Sequence, residues 1–198
     1  LGRVLVGLLP DEPEALGLLA LMELQASRMP ARIDAEGTPI LLPEQNRARW
    51  DRLQIQRGLH ALLRAQRLGG ADGAYALQAA LAACHARANR VEDTDWAGIA
   101  ALYARLMTVA PSPVVELNRA VAVSRAQGSA AALPLVDALA AEPKLRDYAP
   151  LAAVRGDLLQ QLGRDAEARD AFLRAAGLTG NLREREVMLA RAKACATP

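Results

Sequence analysis

The sequence predicts an all-α protein, and its composition and apolar spacing are the observations behind that prediction. Hydrophobic residues make up 52% of the 198 residues, but aromatic residues only 3%. The apolar content is therefore mostly Ala and Leu, which are strong helix formers. The β-branched and aromatic residues that strands prefer are sparse. Apolar residues recur at helical spacing along nearly the whole chain, which is long enough to bury a sizeable core.

Two long helices are predicted in the first third of the chain. The first spans Pro13 to Arg28, with Asp11 as its candidate N-cap. Three prolines and one glycine then predict an irregular loop near residues 29–43. The second helix spans about Glu44 to Leu68 and ends at the pair Gly69-Gly70.

The following helices are separated by short turns that carry capping signals. One helix is predicted from Tyr75 to Ala88, and another from Trp96 to Val109, with the candidate N-caps Asp93, Thr94 and Asp95. In the stretch APSPVVELNRAVAV, Pro111 lies past the end of one helix and Pro113 lies in the first turn of the next. Ser112 is then the N-cap, so this stretch is a helix–helix junction rather than a strand.

The second half of the chain carries a repeated pattern of turn and helix. Gly163 lies at a predicted turn, and Gly128 occupies the same kind of turn 35 residues earlier. Gly156 is a small residue in the helix before Gly163, and the next helix places Ala168, Phe172 and Ala175 on one face. A period of about 34 residues with this pattern is typical of tetratricopeptide (TPR) repeats, in which small residues let paired helices approach closely.

We therefore predict a TPR-like helical repeat array of antiparallel helix pairs in a right-handed superhelix, with an extra helical N-terminal part. Residues 1–72 form the N-terminal part, and residues 73–198 hold three degenerate repeats at about 76–111, 113–145 and 147–180. A polar capping helix from Asn181 to Ala194 follows the last repeat. We expect the whole chain to form one compact unit.

Charge and cysteine usage exclude several classes of protein. The chain has 24 basic and 22 acidic residues, a net charge of +2, and this near balance does not indicate a nucleic-acid-binding surface. Cys84 and Cys195 lie far apart, which argues against a disulfide framework and fits a reducing cytoplasm. No apolar run reaches the length of a membrane span. Because the sequence begins at Leu1 rather than Met, we expect it to be part of a longer protein.

A candidate partner groove follows from the predicted array. The first helix of each TPR pair lines the concave face, and Asn118 follows the packing residue Leu117 in such a helix. The candidate groove residues are Asn118, Arg125, Asp157 and Gln160, whose polar side chains could hold a peptide carboxylate or backbone. The alternative is that Asn118 bonds a neighbouring turn and Arg119 is solvated.

A second candidate surface is basic and aromatic. The stretch EQNRARWDRLQIQRG places Arg47, Arg49 and Arg52 around Trp50, so the three arginines are a candidate patch for nucleic acid or an acidic partner. The alternative is that Trp50, which lies at helical spacing from Leu53, packs in the core.

The remaining reactive residue types form no arrangement that predicts catalysis or metal binding. Cys84 and His85 are adjacent, so on a helix their side chains point about 100° apart and cannot chelate one metal well. His60 has no acidic or thiol partner nearby in the sequence. The Gly-rich stretch RLGGADGAY follows no predicted strand and precedes no Lys-Ser or Lys-Thr pair, so it is not a phosphate loop. We therefore predict no enzyme activity and no cofactor.

Five stretches, in order, resemble the C-terminal, tetratricopeptide-like extension of a group of bacterial extracytoplasmic-function (ECF) RNA polymerase sigma factors. They are LLPDEPEALGLLALMELQASRMPARID, RARWDRLQIQRGLHALLRA, YALQAALAACHARA, DTDWAGIAALYARLMTVAPSPVVELNRAVAV and GDLLQQLGRDAEARDAFLRAAGLTGNLRER. The resemblance covers about Leu8 to Arg191. One departure is Asn46, where the family pattern has an acidic residue.

The resemblance implies a regulatory domain of a longer cytoplasmic protein that acts in transcription initiation. The regions that bind polymerase and read the promoter would lie upstream of Leu1, so DNA would be contacted only through them. The implied partners are the sigma regions of the same polypeptide, RNA polymerase, or a signalling protein or peptide; no membrane contact and no catalytic residue is implied. The rival hypothesis is a free-standing TPR-like adaptor that binds a peptide.

Overall fold

The computed structural model describes residues 1–35 and 40–195, and this part of the chain forms α-helices and no β-strand. The prediction of an all-α protein is confirmed, and the architecture is compatible with a helical repeat array. The helices are α1 (Gly2–Leu8), α2 (Pro13–Ala26), α3 (Arg52–Arg67), α4 (Ala74–Arg87), α5 (Trp96–Val109), α6 (Pro113–Gln127), α7 (Ser129–Leu139), α8 (Ala149–Gln161), α9 (Asp165–Leu178) and α10 (Leu182–Ala194). None of these helices has the length and apolar character that a bilayer span requires.

The chain divides into two compact units, Leu1–Ala110 and Pro111–Pro198, whereas one unit was expected. The division falls at the helix–helix junction that contains Pro111 and Pro113. The boundary predicted near residue 72 lies inside the first unit, in the turn between α3 and α4. Residues 36–39 of the predicted loop near 29–43 lie outside the described residues.

The first unit is organised around α2, which packs against both α3 and α4. Two glycines permit this packing. A Cβ atom on Gly17 of α2 would lie 2.7 Å from the backbone nitrogen of Ala76 in α4, and one on Gly58 of α3 would lie 2.7 Å from Cγ of Leu24 in α2. Both distances are shorter than van der Waals contact, so the helix axes lie closer together than any residue larger than glycine allows.

The second unit pairs α6 with α7 and α8 with α9, and α10 packs against α9. Gly156 of α8 faces the ring of Phe172 in α9, and a Cβ atom at Gly156 would lie 2.6 Å from the Cε1 atom of that ring. Phe172 is fully buried, as are Ala168 and Ala175 on the same face of α9. The repeat pattern predicted close helix approach at Gly156 and a packed Phe172, and the structure places these two residues in direct contact.

Glycines with positive φ end the turns between helices. Gly128 has φ +94° between α6 and α7, and Gly163 has φ +70° between α8 and α9. These values lie in the left-handed region, which residues with a Cβ atom rarely adopt. Both predicted turns are confirmed, and Gly69, with φ +84°, ends α3 in the same way.

Capping residues start the helices at the predicted junctions. Asp95 accepts a hydrogen bond from the backbone N–H of Gly98 at 2.8 Å, so it is the N-cap of α5 among the three candidates. Ser112 accepts from the N–H of Val114 at 3.3 Å, and Pro113 is the first residue of α6. The prediction that this stretch joins two helices is confirmed.

The predicted cap of α2 was wrong by one residue. Glu12, not Asp11, has the extended backbone of an N-cap and accepts from the N–H of Glu14 at 3.3 Å. The reason is that Pro13 fills the first helical position, which fixes the cap at the preceding residue. Asp11 instead forms an exposed ion pair with Arg64 of α3 at 3.1 Å.

The helix predicted from Glu44 begins only at Arg52. Asn46 caps a short 3-10 turn over Arg47–Arg49, Trp50 is extended with ψ 136°, and Asp51 caps α3 through the N–H of Gln54 at 3.0 Å. The extended backbone at Trp50 separates the 3-10 turn from α3, and the Trp50 side chain is buried in the core of the first unit. Apolar periodicity does not reveal this break. The local signals for it are the two capping side chains, Asn46 and Asp51.

The Gly156 contact predicts a steric effect on stability. The change Gly156→Ala places a methyl group inside the Phe172 ring contact, so we expect the free energy of unfolding to fall by about 1–3 kcal/mol. Gly177→Ala in α9 is the matched control, because a Cβ atom there meets nothing within 4 Å. It should leave stability unchanged or raise it by up to about 1 kcal/mol. Denaturant unfolding followed by circular dichroism measures both, and equal stability of the two variants would contradict the contact.

Candidate functional site

Arg47 lies in the core of the first unit and ties three segments together. Its side chain donates hydrogen bonds to the backbone oxygens of His85 at 2.6 Å and Ala88 at 2.9 Å, and to Oγ1 of Thr94 at 3.3 Å. The residue is 7% exposed. Arg47 therefore holds the 3-10 turn before α3 against the C-terminal end of α4 and the loop before α5.

Trp50 packs beside this guanidinium. Its ring lies 4.9 Å from Cζ of Arg47 and 6.0 Å from Cζ of Arg28, distances at which cation–π attraction operates. Trp50 is 3% exposed, so the interpretation of Trp50 as a core residue is confirmed. Of the three arginines predicted to form a basic patch, Arg49 and Arg52 are exposed while Arg47 is buried. The structure does not bring the three onto one surface.

His85 is a packed, neutral histidine. Its ring lies 5.4 Å from the ring of Trp96 in an edge-to-face arrangement at 75°. Burial, together with the smaller effect of the nearby cations Arg28 and Arg47, lowers the His85 pKa to about 4. Burial also raises the pKa of the adjacent Cys84 thiol. Among residues 1–35 and 40–195, no group of three His, Cys, Asp or Glu side chains is placed to hold a metal ion.

The predicted groove residues fall into two sets in the second unit. Asn118 and Arg125 are exposed on α6, seven residues apart, so they lie on one stripe of that helix. Asp157 and Gln160 of α8 are instead joined by Arg191 of α10. Arg191 forms an ion pair with Asp157, donates to Oε1 of Gln160 at 3.1 Å, and lies 4.3 Å from the ring of Phe172.

Arg119 is partly buried and ion-paired, whereas the alternative to the groove had it as a solvated side chain. Its guanidinium forms a bidentate pair with Glu116 one turn earlier on α6, at 2.8 and 2.6 Å. The hydrogen bonds that Arg119 donates to the Glu116 carboxylate raise the pKa of Arg119. Arg119 therefore stabilises its own helix rather than offering a charge to a partner.

A cavity of about 390 Å³ lies between α7, the turn Pro143–Leu145, α8 and α9. Its floor is apolar and its rim is charged; the lining residues are Asp137, Ala140, Leu145, Arg146, Tyr148, Leu151, Ala152, Arg155, Asp170, Ala171, Arg174 and Leu178. Sequence reasoning missed this site. The repeat pattern gave a partial signal, because it pairs α8 with α9, whose residues Arg155 and Ala171 both line the cavity.

Comparison with known proteins gives a family match and a relative. Residues 1–66 match a family of unknown function, DUF6596. The chain is 49% identical over 184 residues to an uncharacterized protein of Rhizobium meliloti (strain 1021). That match covers 93% of this chain and 43% of the relative, so the chain spans less than half of that protein's length. No solved structure matches the chain at a significant level.

The buried Arg47 predicts a large loss of stability on truncation. Arg47→Ala leaves the buried oxygens of Ala88 and Thr94 and the partly buried backbone oxygen of His85 without this donor, and each fully buried group costs about 1–3 kcal/mol. We expect the free energy of unfolding to fall by more than about 2 kcal/mol. Arg49→Ala, an exposed arginine on the same turn, should change it by less than about 0.5 kcal/mol. Urea titration of both variants tests this, and similar losses would show that Arg47 has no special structural role.

The lowered His85 pKa predicts a pH dependence of stability. Between its ordinary value of about 6.5 and about 4, the unfolded chain binds a proton at His85 that the folded chain does not. The stability that depends on a neutral His85 is therefore fully present above about pH 6.5. The free energy of unfolding falls as the pH is lowered from there toward 4. His85→Phe keeps a ring against Trp96 and should flatten this fall, whereas His60→Gln, an exposed histidine on α3, should retain it. Equal slopes for wild type and His85→Phe would refute the assignment.

Proposed function

We propose that the chain is a regulatory, protein-interaction domain of a bacterial ECF sigma factor that acts in transcription initiation. The observation that carries the proposal is the ordered resemblance of five stretches to the C-terminal extension of those factors. Two of the stretches hold central packing contacts of the fold, since RARWDRLQIQRG contains Arg47 and Trp50, and GDLLQQLGRDAEARDAF contains Gly156 and Phe172. The resemblance therefore involves residues that determine the helix packing.

The match with the longer relative supports a role as one part of a larger protein. The aligned region takes in 93% of this chain but leaves more than half of the relative outside. We propose that the partners are the sigma regions of the same polypeptide or RNA polymerase itself, with a signalling protein or peptide as a further partner. DNA would be contacted by the sigma regions and not by this domain, and the domain would have a binding role rather than a catalytic one.

The proposed mechanism is a shift between two states of the sigma factor. In one state this domain holds the sigma regions away from polymerase, and in the other they are free to bind it. A partner shifts the balance only by the difference between its affinities for the two states. The exposed stripe with Asn118 and Arg125 and the cavity between α7, α8 and α9 are the surfaces in the second unit that such a partner could contact.

The first test is the coding sequence that precedes Leu1. A continuous reading frame that encodes an aromatic- and Arg-rich promoter-melting helix followed by a helix-turn-helix would support the proposal. A start codon directly before Leu1 would contradict it and favour a free-standing peptide-binding adaptor, for which a pull-down of the partner is the next experiment.

The second test is transcription from a target promoter by the complete factor. We expect Asn118→Ala and Arg125→Ala to change transcription by roughly fivefold or more, the lower range of allosteric couplings, with unfolding curves like wild type. Arg49→Ala, an exposed arginine in the first unit, is the control for a nonspecific loss of positive charge. Unchanged transcription in both α6 variants would count against the groove, and transcription unaffected by removal of the whole domain would count against the proposed function.

A further inference from the structure

We infer that the cavity between α7, α8 and α9 binds a peptide segment that presents an apolar side chain next to carboxylates. The inference rests on the proposed interaction role and specifies the chemistry of the partner. It concerns different residues from the groove predicted from the sequence. All lining residues belong to the second unit.

The floor of the cavity is formed by apolar side chains. Leu145 follows the end of α7, Leu151 and Ala152 come from α8, and Ala171 comes from α9; all four are buried by their neighbours. The cavity volume of about 390 Å³ lies near the lower end of the range of about 300–1,000 Å³ for ligand pockets. A space of this size with an apolar floor fits one or two apolar side chains of a peptide, the usual anchors at protein interfaces.

The rim of the cavity carries more positive than negative charge. Arg155 is already paired, because its Nε donates to Oδ1 of Asp137 at 2.7 Å. This leaves the guanidinium groups of Arg146 and Arg174 beside one carboxylate, that of Asp170. In the described part of the chain, neither Arg146 nor Asp170 forms an ion pair. A partner with carboxylates next to its apolar anchor therefore complements this rim.

A hydrogen bond orders the part of the rim that carries Arg146 and Arg174. Arg174 of α9 donates to the backbone oxygen of Arg146 at 3.2 Å, which holds the end of the turn Pro143–Leu145 against α9. Arg174 keeps further N–H donors for a ligand, since a guanidinium carries five. A rim that is already ordered lowers the conformational entropy lost on binding.

The test is fluorescence anisotropy of labelled peptides with the complete 198-residue chain. The first peptide has a central Leu-Phe pair flanked by Asp residues, the second has the same centre flanked by Lys, and the third has Asp flanks around Gly-Gly. We expect the first peptide to bind at least tenfold more tightly than either of the others. Its affinity should weaken with added salt, because exposed charges are screened.

Variants of the rim identify the binding site. Arg146→Glu should weaken the Asp-flanked Leu-Phe peptide about tenfold, and Arg169→Glu, an exposed arginine on α9 outside the cavity, should leave its affinity within about twofold. Asp170→Lys removes the competing carboxylate and should strengthen binding. A gain of affinity cannot arise from unfolding, so this variant tests the site even if Arg146→Glu is less stable.

The inference would be overturned by no binding of the Asp-flanked Leu-Phe peptide, by equal binding of the Lys-flanked peptide, or by equal losses from Arg146→Glu and Arg169→Glu. Self-association of the chain that Arg146→Glu abolishes, measured by sedimentation, would make a second copy the occupant and would also overturn it. Failure of this inference can be told apart from failure of the proposed function. Transcription that depends on the domain without peptide binding rejects only the cavity, whereas peptide binding without an upstream sigma region rejects only the sigma role.

Discussion

The fold depends on helices that approach each other more closely than ordinary side chains permit. With few aromatic residues to fill space, the core is built mainly from Ala and Leu, and at several close contacts a glycine removes even the Cβ atom, among them Gly17 against α4, Gly58 against α2, and Gly156 against Phe172. Small side chains bury little apolar area each, so stability has to come from many close contacts. Helix positions are correspondingly fixed, because an added methyl group at any of these glycines would need neighbouring atoms to move.

Arginine has a structural role in both units, which changes how the charge of the chain should be interpreted. Arg47 lies beside Trp50 in the first unit, and Arg191 lies over Phe172 in the second, where it also joins Asp157 and Gln160. In each case one planar guanidinium stacks on an aromatic ring and donates hydrogen bonds to several oxygens at the same time. The ammonium group of a lysine lacks this planar geometry. The count of basic residues therefore overstates the positive charge available to a partner.

Local signals predicted the fold well, and long-range contacts limited the prediction of sites. The caps Asp95 and Ser112 and the turn glycines Gly128 and Gly163 act within a few residues, so they could be read directly from the sequence. The repeat pattern indicated that Gly156 and Phe172 are packing residues, and the structure shows that they touch each other. The burial of Arg47 could not be predicted, because its acceptors lie about 40 residues away on α4 and beyond. The cavity was missed for a related reason, since its rim arginines come from separate elements of the second unit.

The placement of the two tryptophans has a spectroscopic consequence. Trp50 and Trp96 are the two tryptophans of the chain, and both lie in the first unit, beside Arg47 and His85 respectively. Selective excitation of indole therefore reports on Leu1–Ala110 alone, while the far-ultraviolet signal sums the helices of both units. Comparison of the two signals distinguishes one cooperative transition from the separate melting of each unit without any introduced label.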